Sequence, residues 1–259
     1  MYLVTGGTGT LGRLVLPRLL QGGGKVRVLS RHPRAAAEGI EFAAGDLDTG
    51  EGIDAAVAGA EVIVHCAGGR KGDGDKARTL VRAASRTGTP HLVNISVVGA
   101  DRVPQDGRLD RTMFGYFGMK LDAERAIAGS GLPWTTLRAT QFHDLLLMVA
   151  RAMARLPVIP VASGVRFQPV DAGEVAARMA ELAMGPPSGL VPDLAGPRVY
   201  PMAELVQSYL QAAGKRRPVV PVRLPGRAAR AVRDGANLAP ERAVGRRTWE
   251  EFLAERVRA

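Results

Sequence analysis

The chain has 259 residues, 46% of them hydrophobic, with a formal net charge of +10 and a single cysteine, Cys66. Enough apolar residues to build a core exclude wholesale disorder, and one thiol excludes an internal disulfide framework and a cysteine-based zinc site. The nearest approach to a membrane span, residues 145–150, is a third of the roughly 18 apolar residues needed, and the N-terminal residues lack a signal-peptide pattern because Tyr2–Thr5 already reads as a strand, so a cytoplasmic protein without a membrane partner is expected.

In chain order, apolar strands are expected at 2–5, 25–29, 40–43, 61–66, 91–95 and 134–138. Helices near 10–21, 50–58, 73–87 and 118–129 lie between them. Such alternation predicts an α/β fold, a doubly wound, Rossmann-type parallel sheet with helices on both faces. Beyond Arg138 the pattern changes to helices near 141–154, 171–184, 201–213 and 247–257, separated by Pro-rich joints such as GPPSGLVPD and RRPVVPVRLPG. Residues 1–140 are therefore expected to form a dinucleotide-binding core. Residues 141–259 form a smaller α/β substrate lobe packed on the same sheet, with no linker between the two.

Residues 214–259 hold twelve Lys/Arg against five Asp/Glu, seven of the ten net positive charges. No zinc finger, RNA-binding aromatic signature or continuous basic helix accompanies them. A solvated arginine-rich surface is the reading, and no nucleic-acid partner is expected.

Between the first strand and the first helix stands Gly6-Gly7-Thr8-Gly9-Thr10-Leu11-Gly12. Gly6 permits a tight turn, Gly9 lets the backbone reach a pyrophosphate, and Gly12 lets helix pack closely on strand. The helix that follows offers unpaired N–H groups and a partial positive charge to phosphate. An NAD site usually carries Asp or Glu at the end of the second strand. Here that end is Ser30-Arg31, with His32 and Arg34 beyond and no carboxylate before Glu38. A guanidinium can fork onto a 2′-phosphate and a serine hydroxyl can donate to it, so NADP(H) is the expected cofactor. Asp46 and Leu47 follow the third strand, where an Asp can meet the adenine amino group. Ala67-Gly68-Gly69 ends the fourth, where small residues leave room for the adenosine ribose.

TGGTGTLG, the strand-end Ser-Arg, GDL and the strand-end AGG resemble the short-chain dehydrogenase/reductase superfamily, and more narrowly its atypical NmrA-like branch. The likeness continues through LDAERAIAGSGLPWTTLRATQFHDLL and FQPVDAGEVAARMAELA, so it covers most of the chain. The resemblance implies a Rossmann core with a small C-terminal substrate lobe, and hydride exchange at the nicotinamide, or in some members nucleotide sensing alone. It also implies a Tyr-x-x-x-Lys pair, which Tyr116 and Lys120 match at the start of a helix. Four residues of spacing put both side chains on one helix face, and an ammonium beside a phenol favours the phenolate. Lys120 is further expected to bind the nicotinamide ribose. Ser96 matches the third member, at the end of the fifth strand. The asparagine that classical members place after the fourth strand is absent, since Asn94 and Asn237 are the only asparagines.

Thr140, Phe142 and His143 fall in the segment that the resemblance sets over the nicotinamide: Thr140 toward the cofactor, Phe142 and His143 toward the substrate pocket. With four histidines in all and no ligand spacing, no metal is expected. The combined expectation is an NADPH-preferring reductase acting on a small carbonyl, quinone or conjugated acceptor, as a monomer or homodimer. The alternatives are a nucleotide-sensing regulator without turnover, and an isomerase or lyase that keeps its NADP.

Overall fold

The computed structural model describes residues 1–32, 39–69 and 72–257. Arg34 and Glu38 lie outside the described residues. The elements begin β1 (Tyr2–Thr5), α1 (Gly12–Gln21), β2 (Val26–Ser30), β3 (Ile40–Ala44), α2 (Ile53–Val57), β4 (Val62–His65), α3 (Asp73–Thr87), β5 (His91–Val97), α4 (Arg108–Ala128) and β6 (Trp134–Ala139). They continue as α5 (His143–Met153), β7 (Ile159–Ala162), β8 (Arg166–Phe167), α6 (Ala172–Met184), β9 (Gly189–Leu190) and β10 (Tyr200–Pro201). The chain closes with α7 (Met202–Ala212), β11 (Val219–Val222), α8 (Arg227–Arg233) and α9 (Trp249–Arg256).

These elements form two compact units. The first comprises Met1–Ser96, Met119–Arg138 and Gly173–Pro192. Its sheet runs β3-β2-β1-β4-β5-β6-β9, with β1 parallel to β2 and to β4, β2 to β3, β4 to β5, and β6 to β9. Tyr2 stands opposite both Val26 and Val62, so YLVT is flanked by apolar strands on either side. Leu3, Ile53, Ile63, Leu80, Leu92 and Ile127 are fully enclosed between sheet and helices. Strand order reverses between β1 and β4. That reversal opens a crevice at their carboxyl ends, the place where open α/β sheets hold ligands. Both the glycine loop and the AGG segment begin there.

The second unit comprises Val97–Gly118, Ala139–Ala172 and Asp193–Ala259. Its core gathers Leu146 and Leu147 of α5 with Ile159, Tyr200, Leu205, Tyr209, Trp249 and Phe252. Two small sheets, β7 parallel to β11 and β8 antiparallel to β10, brace it. A capping box starts α9: the Thr248 hydroxyl accepts from the Glu251 N–H, and the Glu251 carboxylate accepts from the Thr248 N–H.

The expected strands and most helices fall within a few residues of these bounds. α4 differs, because it begins at Arg108 rather than near 118. Gly115 and Gly118 weaken the helical signal in its first turns. Long-range packing overrides them: the buried Asp110 carboxylate accepts the Ala228 N–H at 3.2 Å, and a Cβ on Gly118 would lie 2.8 Å from Gln105. β7 and β11 escape a sequence reading for another reason. Pro160 and Pro221 interrupt them, and proline is tolerated only where a strand is not hydrogen-bonded on both sides.

Candidate functional site

The glycine loop is shaped by contacts that admit no side chain. Gly6 has a φ of +68°, and a Cβ there would stand 2.6 Å from the Ala67 nitrogen. At Gly12 a Cβ would meet the Gly6 carbonyl oxygen at 2.3 Å, whereas at Gly9 the same oxygen is 3.2 Å away. The Gly9 N–H donates to the Gly6 carbonyl at 2.9 Å and closes the turn. Leu11, buried at the cap of α1, provides no side-chain acceptor, and the helix has no acidic residue in its first turn. Of its opening N–H groups, Arg13 donates to the Gly9 carbonyl and Leu14 to that of Leu11, and no carboxylate lies among them. The Arg13 guanidinium, not singled out by sequence, donates to the Gly9 carbonyl at 3.3 Å and adds a cation to the loop. This cradle fits a pyrophosphate.

At the end of β2, the Ser30 hydroxyl accepts the His32 N–H at 3.2 Å. Arg31 is exposed, and among the described residues no carboxylate pairs with it. Asp46 is held by its own turn: its Oδ1 accepts the Asp48 N–H, its N–H donates to the Glu51 carbonyl, and its carbonyl accepts from Gly50. Leu47 is buried beside it.

At the ends of β1 and β4 lies a cluster of buried polar groups. The Lys120 ammonium sits 3.1 Å from the Asp73 carboxylate, and both side chains are almost wholly buried. A Cβ on Gly68 would be 3.1 Å from that ammonium and 3.5 Å from the carboxylate, so the pair lies against the bare backbone of Gly68. Asp73 also accepts the Gly69 N–H at 2.9 Å, which ties the strand-end loop to the start of α3. Thr5 Oγ1 is 2.7 Å from His65 Nδ1 and accepts the Ala67 N–H. Burial, helped by the positive charge of Lys120, lowers the His65 pKa to about 4. Burial pushes the Cys66 thiol up to about 12, so it is no nucleophile at neutral pH. Sequence reasoning missed Asp73 in this role. Its only local signal was an acid at the first turn of a helix, which any helix can use.

Ser96, the penultimate residue of β5, lies in the first unit, and its buried hydroxyl has no hydrogen-bond partner. Tyr116 lies in the third turn of α4, not at a helix start. It is 43% exposed and stands edge-to-face with Phe117. Lys120 follows one turn later on the same helix.

In the second unit the Thr140 hydroxyl is buried and accepts the Gly196 N–H at 3.3 Å. Phe142, half-buried, caps α5. His143 is fully enclosed, its ring 4.9 Å from that of Phe252 and 6.0 Å from that of Trp249, and burial lowers its pKa to about 4. Between them Gln141 is buried with neither amide atom hydrogen-bonded. A polar residue just past the carboxyl end of β6 was the one signal that could have found it. No cluster of three or more His, Cys, Asp or Glu suited to a metal ion occurs among the described residues.

The family model described as NAD(P)H-binding matches residues 6–146. A (4-alkanoyl-5-oxo-2,5-dihydrofuran-3-yl)methyl phosphate reductase of Streptomyces griseus is 28% identical over 162 residues, 61% of this chain and 54% of that protein. The chain thus spans about half the length of that relative. An NAD(P)H azoreductase of Xenophilus azovorans is 29% identical over 226 residues, 83% of this chain and 74% of its own. Among solved structures, the NADPH-dependent quinone oxidoreductase QOR2 of Escherichia coli, complexed with NADPH, superposes with a TM-score of 0.82 at 20% identity, covering 98% of this chain and 99% of that one.

Proposed function

Because the chain belongs to the NAD(P)H-binding family, we propose that it is an NADPH-preferring, short-chain-type reductase of the NmrA-like branch, acting on a small quinone, conjugated or carbonyl acceptor. The observation that carries this reading is the backbone cradle after β1 with the Lys120–Asp73 pair set against Gly68, all at the switch point of the sheet. Relatives named for azo and dihydrofuranone reduction support the acceptor class.

NADPH, when bound, supplies the hydride. The glycine loop and Arg13 would hold its pyrophosphate, Ser30 and Arg31 its 2′-phosphate, and Asp46, Leu47, Ala67 and Gly68 its adenosine. Lys120 would donate to the nicotinamide ribose, with Asp73 positioning its ammonium, and Thr140 would help hold the strand end on the cofactor side. Ser96 donates a hydrogen bond to the acceptor oxygen, and Tyr116 delivers the proton. Residues 141–259 act as the substrate lobe. Phe142 supplies an apolar wall, and His143, locked in its aromatic stack, supports that wall from behind.

Direct hydride delivery to a quinone or conjugated acceptor asks less of an acid than reduction of a simple ketone does. Acceptors that need little acid help, quinones and conjugated systems above all, are therefore favoured over simple ketones. The test follows NADPH absorbance with a panel of quinones, enones, azo compounds and aldehydes. Turnover of quinones and enones is expected, with Tyr116→Phe slowing aldehydes more than quinones. Tight NADPH binding with no turnover on any acceptor would leave a nucleotide sensor instead.

A further inference from the structure

On the second unit, the outward side of α5 is not polar. Met148 is 60% exposed, Leu145 and Ala152 are exposed three residues before and four after it, and Leu156 and Val158 are exposed just past the helix. Arg151 and Arg155 flank this stripe. Met148, Arg151, Arg155 and Arg256 line a hollow of about 450 Å³, in which Asp144 is the one acidic residue. Arg155 also lines a second hollow of about 400 Å³ with Arg216 and Arg217. Those two arginines line a third, of about 510 Å³, together with Lys215. One continuous basic surface thus borders the apolar stripe.

Its cations differ from several elsewhere on the protein. Arg78, Arg86, Arg178, Arg198 and Arg227 each meet a carboxylate. Among the described residues, Arg151, Arg155, Lys215, Arg216 and Arg217 meet none. Arg151 donates to the Arg256 carbonyl and Arg217 to that of Arg216. Five cations gathered without an internal counter-charge make this surface complementary to an anion.

We propose that this surface docks the chain on an anionic bilayer. A free phosphate would leave the exposed Leu, Met and Val side chains unused. Single-stranded nucleic acid would call for stacking rings, and no residue lining the three hollows is aromatic, while a duplex backbone, like free phosphate, would leave the aliphatic side chains unused. A second copy meeting the same patch across a two-fold axis would set arginines against arginines. A bilayer satisfies both halves. The aliphatic side chains enter the boundary between headgroups and acyl chains, while the arginines spread their stems over it and place their guanidinium groups on lipid phosphates. No helix among the described residues is long and apolar enough to cross a membrane, so the association is peripheral. It stands independently of the reductase reading.

The experiment is co-sedimentation of the full chain with phosphatidylcholine vesicles, with and without phosphatidylglycerol, at low and high salt. Binding is expected only with phosphatidylglycerol and is weakened by salt. Charge reversal in Arg216→Glu/Arg217→Glu should weaken it by about tenfold or more. Met148→Asp, at an exposed site where folding is checked by circular dichroism, should lower it while every arginine is kept. Equal binding to neutral vesicles overturns the proposal, as does unchanged binding of either variant. So does retention on duplex DNA with none on vesicles, or a dimer in solution that Met148→Asp dissociates.

Discussion

Lys120 and Asp73, forty-seven residues apart in the chain, form an ion pair 3.1 Å long in which both side chains are almost wholly buried. Removing one partner of such a pair strands a charge away from water, which costs more than the pair itself contributes. Asp73→Ala should therefore lower unfolding free energy by about 3–5 kcal/mol in denaturant titration. Asp73→Ala/Lys120→Met should recover most of that loss, because no charge is then left unpaired. Equal instability of the single and double variants would count against a pairing role.

The glycines of the loop should separate folding from nucleotide binding. Gly12→Ala places a methyl 2.3 Å from the Gly6 carbonyl oxygen and must displace backbone, so melting temperature and NADPH affinity should fall together. At Gly9 the same oxygen is 3.2 Å away, and the surroundings are open. Gly9→Ala should melt close to the parent chain yet bind NADPH at least tenfold less tightly by fluorescence titration, a loss on the order of 1.4 kcal/mol.

Arg31 is exposed at the end of β2, so its replacement leaves the core untouched. A charge-assisted hydrogen bond to a 2′-phosphate is worth about 1.5–3 kcal/mol, which is roughly 10- to 100-fold in affinity. Arg31→Asp should weaken NADPH by that factor and NADH little, measured side by side by calorimetry. An equal loss for both nucleotides would remove the NADPH assignment.

Two enclosed histidines predict acid sensitivity. His65 and His143 both have pKa values lowered to about 4, the first by burial and Lys120, the second chiefly by burial. As pH falls below about 6.5 the unfolded chain takes up protons that the folded chain refuses. Stability is therefore full above that pH, declines between about 6.5 and 4, and levels off below on this account. Each histidine contributes up to roughly 3 kcal/mol to the decline. His143→Phe, which keeps a ring against Trp249 and Phe252, should remove about half of the slope in thermal melts taken from pH 7 to 4.

The first six strands and the glycine loop were legible because their signals are local. A strand, a glycine turn and a helix occupy residues 2–21, and each constrains the next through backbone geometry alone. β9 was not legible: two residues, Gly189 and Leu190, extend the sheet only because β6 already lies there to pair with Thr135 and Thr136. Asp73 read as an ordinary acid at a helix start, and Gln141 as one polar residue after a strand. What each does depends on burial beside a group distant in sequence, where an unpaired charge or amide is costly. The arginines followed the same rule. Sequence alone counted them and showed no apolar run near the roughly 18 residues that a membrane-spanning helix needs. Only the folded chain brought Arg151 and Arg155 of the α5 region beside Arg216 and Arg217, around aliphatic side chains facing solvent. Local backbone chemistry determined the sheet and its nucleotide loop, while the pairing of buried charges and the gathering of surface charges awaited tertiary contact, because electrostatic energy depends on distance in space and not along the chain.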